Sequence, residues 1–283
     1  MEGRLMNILT FDIEDWWVYD HYKIGNKSDW LPRLNDYLNR ILDVLDKKKI
    51  QATFFCLGIV AREYHDVIKL IDSRGHQIAC HSDQHEFLFE KSCDFFYNDT
   101  KQAIDSLEQV IGKKVTGYRA PAFSFTEKNK WVFEILHELG IEFDCSIYPA
   151  NRAFGGYANF NETKPCIIKY NSVAIKEFPM ALTTIFGKRI AYAGGGYFRI
   201  LPYSFIKKAI EKSDYVITYF HLKDFDHKQK NVLWNRYIQS YYGVKEAFDK
   251  FLKLINDFDF VSLNQASEMI NWDEVPIIQL QKS

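Results

Sequence analysis

Short apolar runs rich in β-branched and aromatic residues alternate along the chain with longer stretches in which apolar residues recur at helical spacing. Such alternation predicts an α/β fold, a parallel sheet with crossover helices. Residues 8–11 predict the first strand. Leu34, Tyr37, Leu38, Ile41, Leu42 and Leu45 then mark the buried face of an amphipathic helix. Further strands are expected at 52–57, 77–80, 115–118 and 141–143. Helices lie between them, one at 68–73 before Gly75, one ending before Gly112 and one closed by Gly140. Residues 148–202 are less regular, with strands at 167–170 and 173–178 and a turn at Gly194-Gly195-Gly196. This stretch is expected to decorate the barrel mouth without forming its own core. A helix at 205–210, a strand at 216–220, a helix at 247–255, a last strand at 258–263 and a short final helix complete the pattern.

Polar residues interrupt this alternation at telling places. Asp12, His81, Arg119, Asp144 and His221 each close a different predicted strand, and in an α/β barrel the C-terminal strand ends share the face where active sites sit. His81 and His85 would turn toward one ion if the residues between them formed a helical turn. The acids Asp12, Glu14 and Asp15 resist simultaneous ionisation unless a cation or an arginine compensates them. Extended alternation puts Asp12 and Glu14 on one face, whereas a turn after the strand would bring Asp15 inward. His21, His65, His76, His137 and His227 fall outside this pattern and read as surface or packing residues.

Composition narrows the field. The 283 residues, 47% of them apolar, can fill one large barrel or two modest domains. We read residues 1–283 as one catalytic unit, with 1–5 an addition ahead of a start at Met6. Thirty-six basic and 37 acidic residues leave a net charge of −1, which argues against nucleic acid or a membrane surface as partner. The five scattered cysteines contain no Cys-x-x-Cys pair and fit reduced thiols in the cytoplasm. No stretch approaches a membrane span, and the N-terminus has no long apolar core of a secretion signal. Trp16, Trp17, Tyr19 and Tyr197 are candidates to stack on a sugar ring at the mouth.

Taken in order, Thr10-Phe11-Asp12, Ala52-Thr53-Phe54-Phe55, the His81 to His85 motif, Tyr118-Arg119-Ala120-Pro121, Phe143-Asp144-Cys145-Ser146 and Phe220-His221 resemble the polysaccharide deacetylases. These NodB-like carbohydrate esterases remove acetyl groups from sugars. The resemblance implies a distorted parallel, TIM-like barrel of about seven strands. It also implies a divalent metal, Zn2+ ahead of Co2+, Ni2+ or Mn2+, held by one aspartate and two histidines. By that resemblance Asp12 matches the base, His81 and His85 the ligands, Arg119 the partner that positions the base, and His221 the acid. Asp144 matches the residue that orients His221, and Pro121 falls among the substrate-facing residues. Ile13 stands where the family usually carries a second adjacent aspartate, so the third ligand is Asp15 or Glu14. Asp15 ranks first, because aspartate is the family's usual ligand. The Asp-x-Glu-Asp-Trp opening, with Glu177-Phe178-Pro179 and Gly194 to Arg199, resembles a branch associated with surface-polysaccharide synthesis.

The chemistry is coherent without the family. Amide hydrolysis needs an activated water, stabilisation of the oxyanion and a proton for the departing nitrogen. A bound divalent ion supplies the first two. Asp12 would take the water proton with Arg119 aiming it, and protonated His221 would supply the nitrogen. Cys145 lacks a Gly-rich elbow or a nearby Cys-His motif and reads as a packing thiol, and the three glycines lack the Lys-Ser/Thr of a phosphate loop. The expected function is metal-dependent N-deacetylation of an amino sugar in a glycan or its precursor. A cyclic-amide hydrolase related to allantoinases, or an inactive carbohydrate-binding barrel, are the alternatives.

Overall fold

The structure, a computed structural model, describes residues 6–14, 34–153, 155–228 and 241–281. Its strands are β1 (Met6–Ile8), β2 (Thr10–Ile13), β3 (Thr53–Cys56), β4 (Gln77–Cys80), β5 (Gly117–Tyr118), β6 (Phe143–Asp144), β7 (Cys166–Tyr170), β8 (Val173–Glu177), β9 (Thr183–Ile185), β10 (Lys188–Ile190), β11 (Tyr215–Ile217), β12 (Phe220–His221) and β13 (Ile277–Leu280). Nine of them form one sheet in the order β12-β2-β3-β4-β5-β6-β8-β7-β13. Every pairing in it is parallel except β7 with β8. A fold with helical crossovers and a largely parallel sheet is what the hydrophobic alternation predicts.

β1 and β11 pair in parallel and run into β2 and β12, so the expected first strand is broken at Leu9. Two threonines bridge the break. The Thr10 N–H donates to Thr218 Oγ1 at 2.8 Å, and the Thr10 hydroxyl donates to the Thr218 carbonyl. The break keeps β2 and β12 in register, with His221 opposite Asp12.

Strands β2 and β3 are buried on both faces, and helices cover the outer side. The helix Leu34–Lys48 buries Tyr37, Leu38, Ile41, Leu42 and Leu45 in the main core, at the predicted spacing. Phe11 stacks on Phe54 at 4.9 Å, and Phe220 and Phe251 meet Phe11 at tilted and edge-on angles. These rings fix the floor on which the site is built.

Three expectations are corrected. Residues 166–177 are strands β7 and β8 of the main sheet, so the 148–202 stretch is only in part a mouth elaboration. The expected strand at 258–263 shrinks to a bridge between Ile8 and Val261, because the helix Leu263–Met269 begins at once, capped by Ser262. The triple glycine opens a short helix, Gly195–Ile200. A Cβ on Gly194 would lie 2.1 Å from the Tyr219 carbonyl, so close backbone contact with Tyr219 requires glycine there.

Candidate metal centre and hydrolytic site

Strand ends deliver the polar residues to one rim. Asp12 lies in β2, Glu14 just beyond it, His81 directly after β4, Arg119 after β5 and His221 at the end of β12. Together they line a cavity of about 170 Å³ with His85, Phe123, Arg152 and Tyr219.

Backbone shape places the two imidazoles. No helical turn forms between His81 and His85; instead Ser82 and His85 adopt left-handed backbone at φ of 72° and 61°. Such φ values are unfavourable for non-glycine residues and persist where surroundings enforce them. Here Ser82 Oγ accepts from the His85 N–H at 3.0 Å. The first N–H groups of the helix Gly58–Glu63 bind the Ser82 and Asp83 carbonyls, and Arg62 grips both Asp83 oxygens at 2.6 and 2.8 Å. The loop is thus tied from outside while its histidines face in.

Glu14, His81 and His85 offer ligand atoms that lie within 4.8 Å of one another, and all three side chains are buried. Glu14 Oε2 is 2.5 Å from His85 Nε2 and 3.8 Å from His81 Nε2. His81 Nδ1 sits 2.8 Å from the Arg119 carbonyl, an acceptor only, so this nitrogen carries the hydrogen and Nε2 keeps its lone pair for the cavity. Burial alone would raise the Glu14 carboxyl, but Lys223, which forms a close ion pair with it, and His85 and His221 hold it well below the usual carboxylate range. Burial pushes the His85 imidazole below its ordinary value, against the pull of Glu14. An anionic carboxylate grouped with two imidazoles is a donor set suited to a divalent cation with an open coordination position. Asp15, ranked ahead of Glu14 as third ligand, lies outside the described residues, as do Trp16, Trp17 and Tyr19.

Asp12 is held from one side. Arg119, fully buried, donates Nη1 to Asp12 Oδ1 at 2.7 Å and to Thr10 Oγ1 at 2.8 Å, with its guanidinium 4.1 Å over the Phe55 ring. On the other side His221 Nε2 is 3.7 Å from Asp12 Oδ2 and 3.7 Å from Glu14 Oε1.

The residue that orients His221 is Asp224, not Asp144. Asp224 Oδ2 lies 2.9 Å from His221 Nδ1, and Arg199 Nε donates to Asp224 Oδ1 at 3.0 Å. Burial opposes ionisation of Asp224, but His221 and Arg199 bring its carboxyl down to about 2. Burial likewise opposes the His221 cation, yet Glu14 and Asp224 outweigh burial and Lys223 and raise the imidazole above its ordinary value. Asp144 is buried against Ser146, whose hydroxyl donates to it at 2.5 Å, and against Glu177. Strands β2 to β5 separate β6 from β12 in the sheet, and the carboxylate paired with His221 Nδ1 is that of Asp224. Only position within three residues of His221, on a 3-10 turn, could have pointed to Asp224.

Of the expected sugar contacts, Tyr197 is 43% exposed and lines a cleft beside the site. Pro121 is buried at the start of a 3-10 turn, and Ala120, Ala122 and Phe123 face the cavity around it. Ala122 and Phe123 both have positive φ, a second strained element at the rim. His76 is a packing residue as expected, accepting from the Ala52 N–H at 3.2 Å, and burial lowers its imidazole to about 4.

The family described as "Polysaccharide deacetylase" matches residues 6–143, and a family described as "Domain of unknown function (DUF3473)" matches residues 145–268. Over residues 6–143, just under half of its length, the chain is similar to the polysaccharide deacetylases. Peptidoglycan-N-acetylmuramic acid deacetylase PdaA of Bacillus subtilis is 31% identical over 117 residues, which are 38% of this chain and 44% of that protein. A peptidoglycan-N-acetylglucosamine deacetylase of Bacillus cereus is 29% identical over 100 residues, 35% of this chain and 36% of its own. The chain therefore spans less than half the length of these relatives. A Mycobacterium smegmatis structure described as a candidate polysaccharide deacetylase superposes with a TM-score of 0.70 at 18% identity, over 100% of this chain and 96% of its own, and so shares the fold. The deacetylase match contains Asp12, Glu14, His81, His85 and Arg119; His221, Asp224 and Arg199 fall in the part of unknown function.

Proposed function

We propose that the chain is a metal-dependent hydrolase that removes the N-acetyl group from an amino sugar in a glycan or glycan precursor. One observation carries the reading: a Glu14-His81-His85 donor set is flanked in a single cavity by Asp12, aimed by Arg119, and by His221, aimed by Asp224. Glu14, His81 and His85 would hold the ion, zinc in first place given its preference for nitrogen and carboxylate donors. When bound, it supplies Lewis acidity for the acetyl carbonyl and lowers the pKa of water.

The chain's own groups divide the proton traffic. Asp12 Oδ2, left free of Arg119, accepts the proton of the attacking water, and Arg119 fixes the carboxylate through Oδ1. His221, protonated, donates from Nε2 to the sugar nitrogen as the carbon–nitrogen bond breaks, so the products are acetate and a free amine. Asp224 takes the hydrogen bond from Nδ1 and fixes which nitrogen faces the substrate.

A small cyclic amide would use only the 170 Å³ cavity; the adjoining cleft of about 880 Å³ favours a larger sugar substrate. The five free cysteines lead us to place the reaction in a reducing compartment, the cytoplasm. The test is acetate release from a panel of N-acetylated and O-acetylated sugars by protein with a measured metal content. Release dependent on metal from an N-acetyl sugar is the expected result. No release from any member of the panel by metal-loaded protein would overturn the reading.

A further inference from the structure

The 880 Å³ cleft shares Arg152 and Tyr219 with the hydrolytic cavity. Three cations, Arg152, Lys188 and Arg189, line it, and among the described residues no carboxylate does. Four other arginines in the fold are treated differently. Arg62 pairs with Asp83, Arg74 with Asp43 and Asp46, Arg119 with Asp12, and Arg199 with Asp224. Among the described residues no carboxylate reaches ion-pair distance of Arg152, Lys188 or Arg189.

These cations are held by construction of the walls. The Arg152 guanidinium lies 4.6 Å over the Tyr148 ring and 5.2 Å from Phe123, which orients it without consuming its hydrogen-bond donors. Its loop is pinned: the Arg152 N–H donates to the Gly155 carbonyl and the Gly156 N–H to the Phe123 carbonyl, both at 3.2 Å. Gly155 has φ of +148°, and a Cβ there would stand 2.5 Å from the Phe123 carbonyl, so the loop closes this tightly only with glycine. Lys188 and Arg189 open β10, whose hairpin with β9 turns tightly on Phe186 and Gly187. The Tyr148 hydroxyl accepts from the Ala191 N–H at 3.1 Å, which fixes that ring as a wall.

We propose that this cleft is a binding subsite for an anionic substituent, a carboxylate or a phosphate, carried near the reacting N-acetyl group. The proposal rests on the amino-sugar reading above and names the class of sugar. Guanidinium groups lining one cleft without carboxylate partners among the described residues raise the local potential and match the oxygen geometry of both anions. The tyrosine faces offer stacking surface for the ring that bears the charge.

Calorimetric titration of the full-length chain tests this with three probes: neutral chitotetraose, an N-acetylglucosamine–glucuronate tetrasaccharide and UDP-N-acetylglucosamine. At least one anionic probe is expected to bind about tenfold more tightly than the neutral one, and its identity distinguishes carboxylate from phosphate. The preference is expected to shrink as salt rises, a readout on the unaltered chain that does not depend on any variant folding. The double substitution Arg152→Gln, Arg189→Gln is expected to abolish the preference, and Arg152→Lys alone to retain part of it. Equal affinity for neutral and anionic probes, or a preference untouched by the double substitution, overturns the subsite. Acetate release separates the two readings. A charge preference in binding without any acetate would remove the deacetylase assignment and leave the subsite, whereas acetate released with no charge preference would do the reverse.

Discussion

Replacing Asp224 with asparagine keeps the shape of the group behind His221 and removes its charge. In the native arrangement a buried carboxylate sits 2.9 Å from His221 Nδ1 and is itself gripped by Arg199. A hydrogen bond to a charged group contributes about 1.5–3 kcal/mol net, a neutral one about 0.5–1.5. The difference, about 1–2 kcal/mol, corresponds to a loss of roughly 5–30-fold in kcat if the bond is needed while His221 carries its proton. The pH profile sharpens the test. Glu14 and Asp224 raise His221 against burial, so the protonated form extends to higher pH. Without the Asp224 charge, activity should be lost at lower pH, and the alkaline limb moves to the acid side. Steady-state acetate release across the pH range, with metal content measured on the same samples, checks both. Asp144→Asn is the control, expected to leave the alkaline limb in place because Asp144 faces Ser146 and Glu177. An unchanged limb in Asp224→Asn, or an equal shift in Asp144→Asn, would refute the reasoning.

His81→Ala should abolish both metal retention and turnover, while His221→Ala keeps the metal and loses turnover by about 100-fold or more; elemental analysis beside acetate assays tells them apart. The buried pair Asp144 and Glu177 is raised by burial, Asp144 to about 6 and Glu177 further, so the folded chain retains protons that the unfolded chain releases above about pH 4. Their contribution is fully present below that pH and is lost as pH rises through about 6 and beyond. Glu177→Gln should therefore flatten the fall of melting temperature as pH rises above about 4, and parallel curves would count against the raised Glu177 carboxyl. Gly194→Ala puts a Cβ 2.1 Å from the Tyr219 carbonyl and should destabilise by about 1–3 kcal/mol, read by calorimetry as a drop in Tm of about 2–4 °C per kcal/mol.

Strand ends were the readable part of the site. Asp12, His81, Arg119 and His221 announce themselves because parallel strands bring their C-terminal ends to one rim, whatever the helices between them do. The same logic misplaces Asp144. A strand end specifies the rim but not the neighbour, and the strand order sets β6 apart from β12. Asp224 escaped because it follows its strand on a 3-10 turn, where Lys223 and Asp224 read as ordinary rim charges. Alternation along β2 does place Asp12 and Glu14 on the same cavity, as their spacing implies. Strand β13 left almost no trace in the pattern, since only Leu280 of its four residues is buried and backbone pairing with β7 holds it. The left-handed residues Ser82, His85, Ala122 and Phe123 carry no local signal either; tertiary contacts impose their backbone.

The register that sets His221 opposite Asp12 joins the two ends of the chain across adjacent strands. Ribosomal synthesis is vectorial, so the residues proposed to hold the ion, and Arg119, emerge long before the imidazole that completes the pair. A nascent or truncated polypeptide ending near residue 143 would possess the ligands yet have no proton to give a leaving amine. On the proposed reading, the hydrolytic site is complete only once β12 docks beside β2.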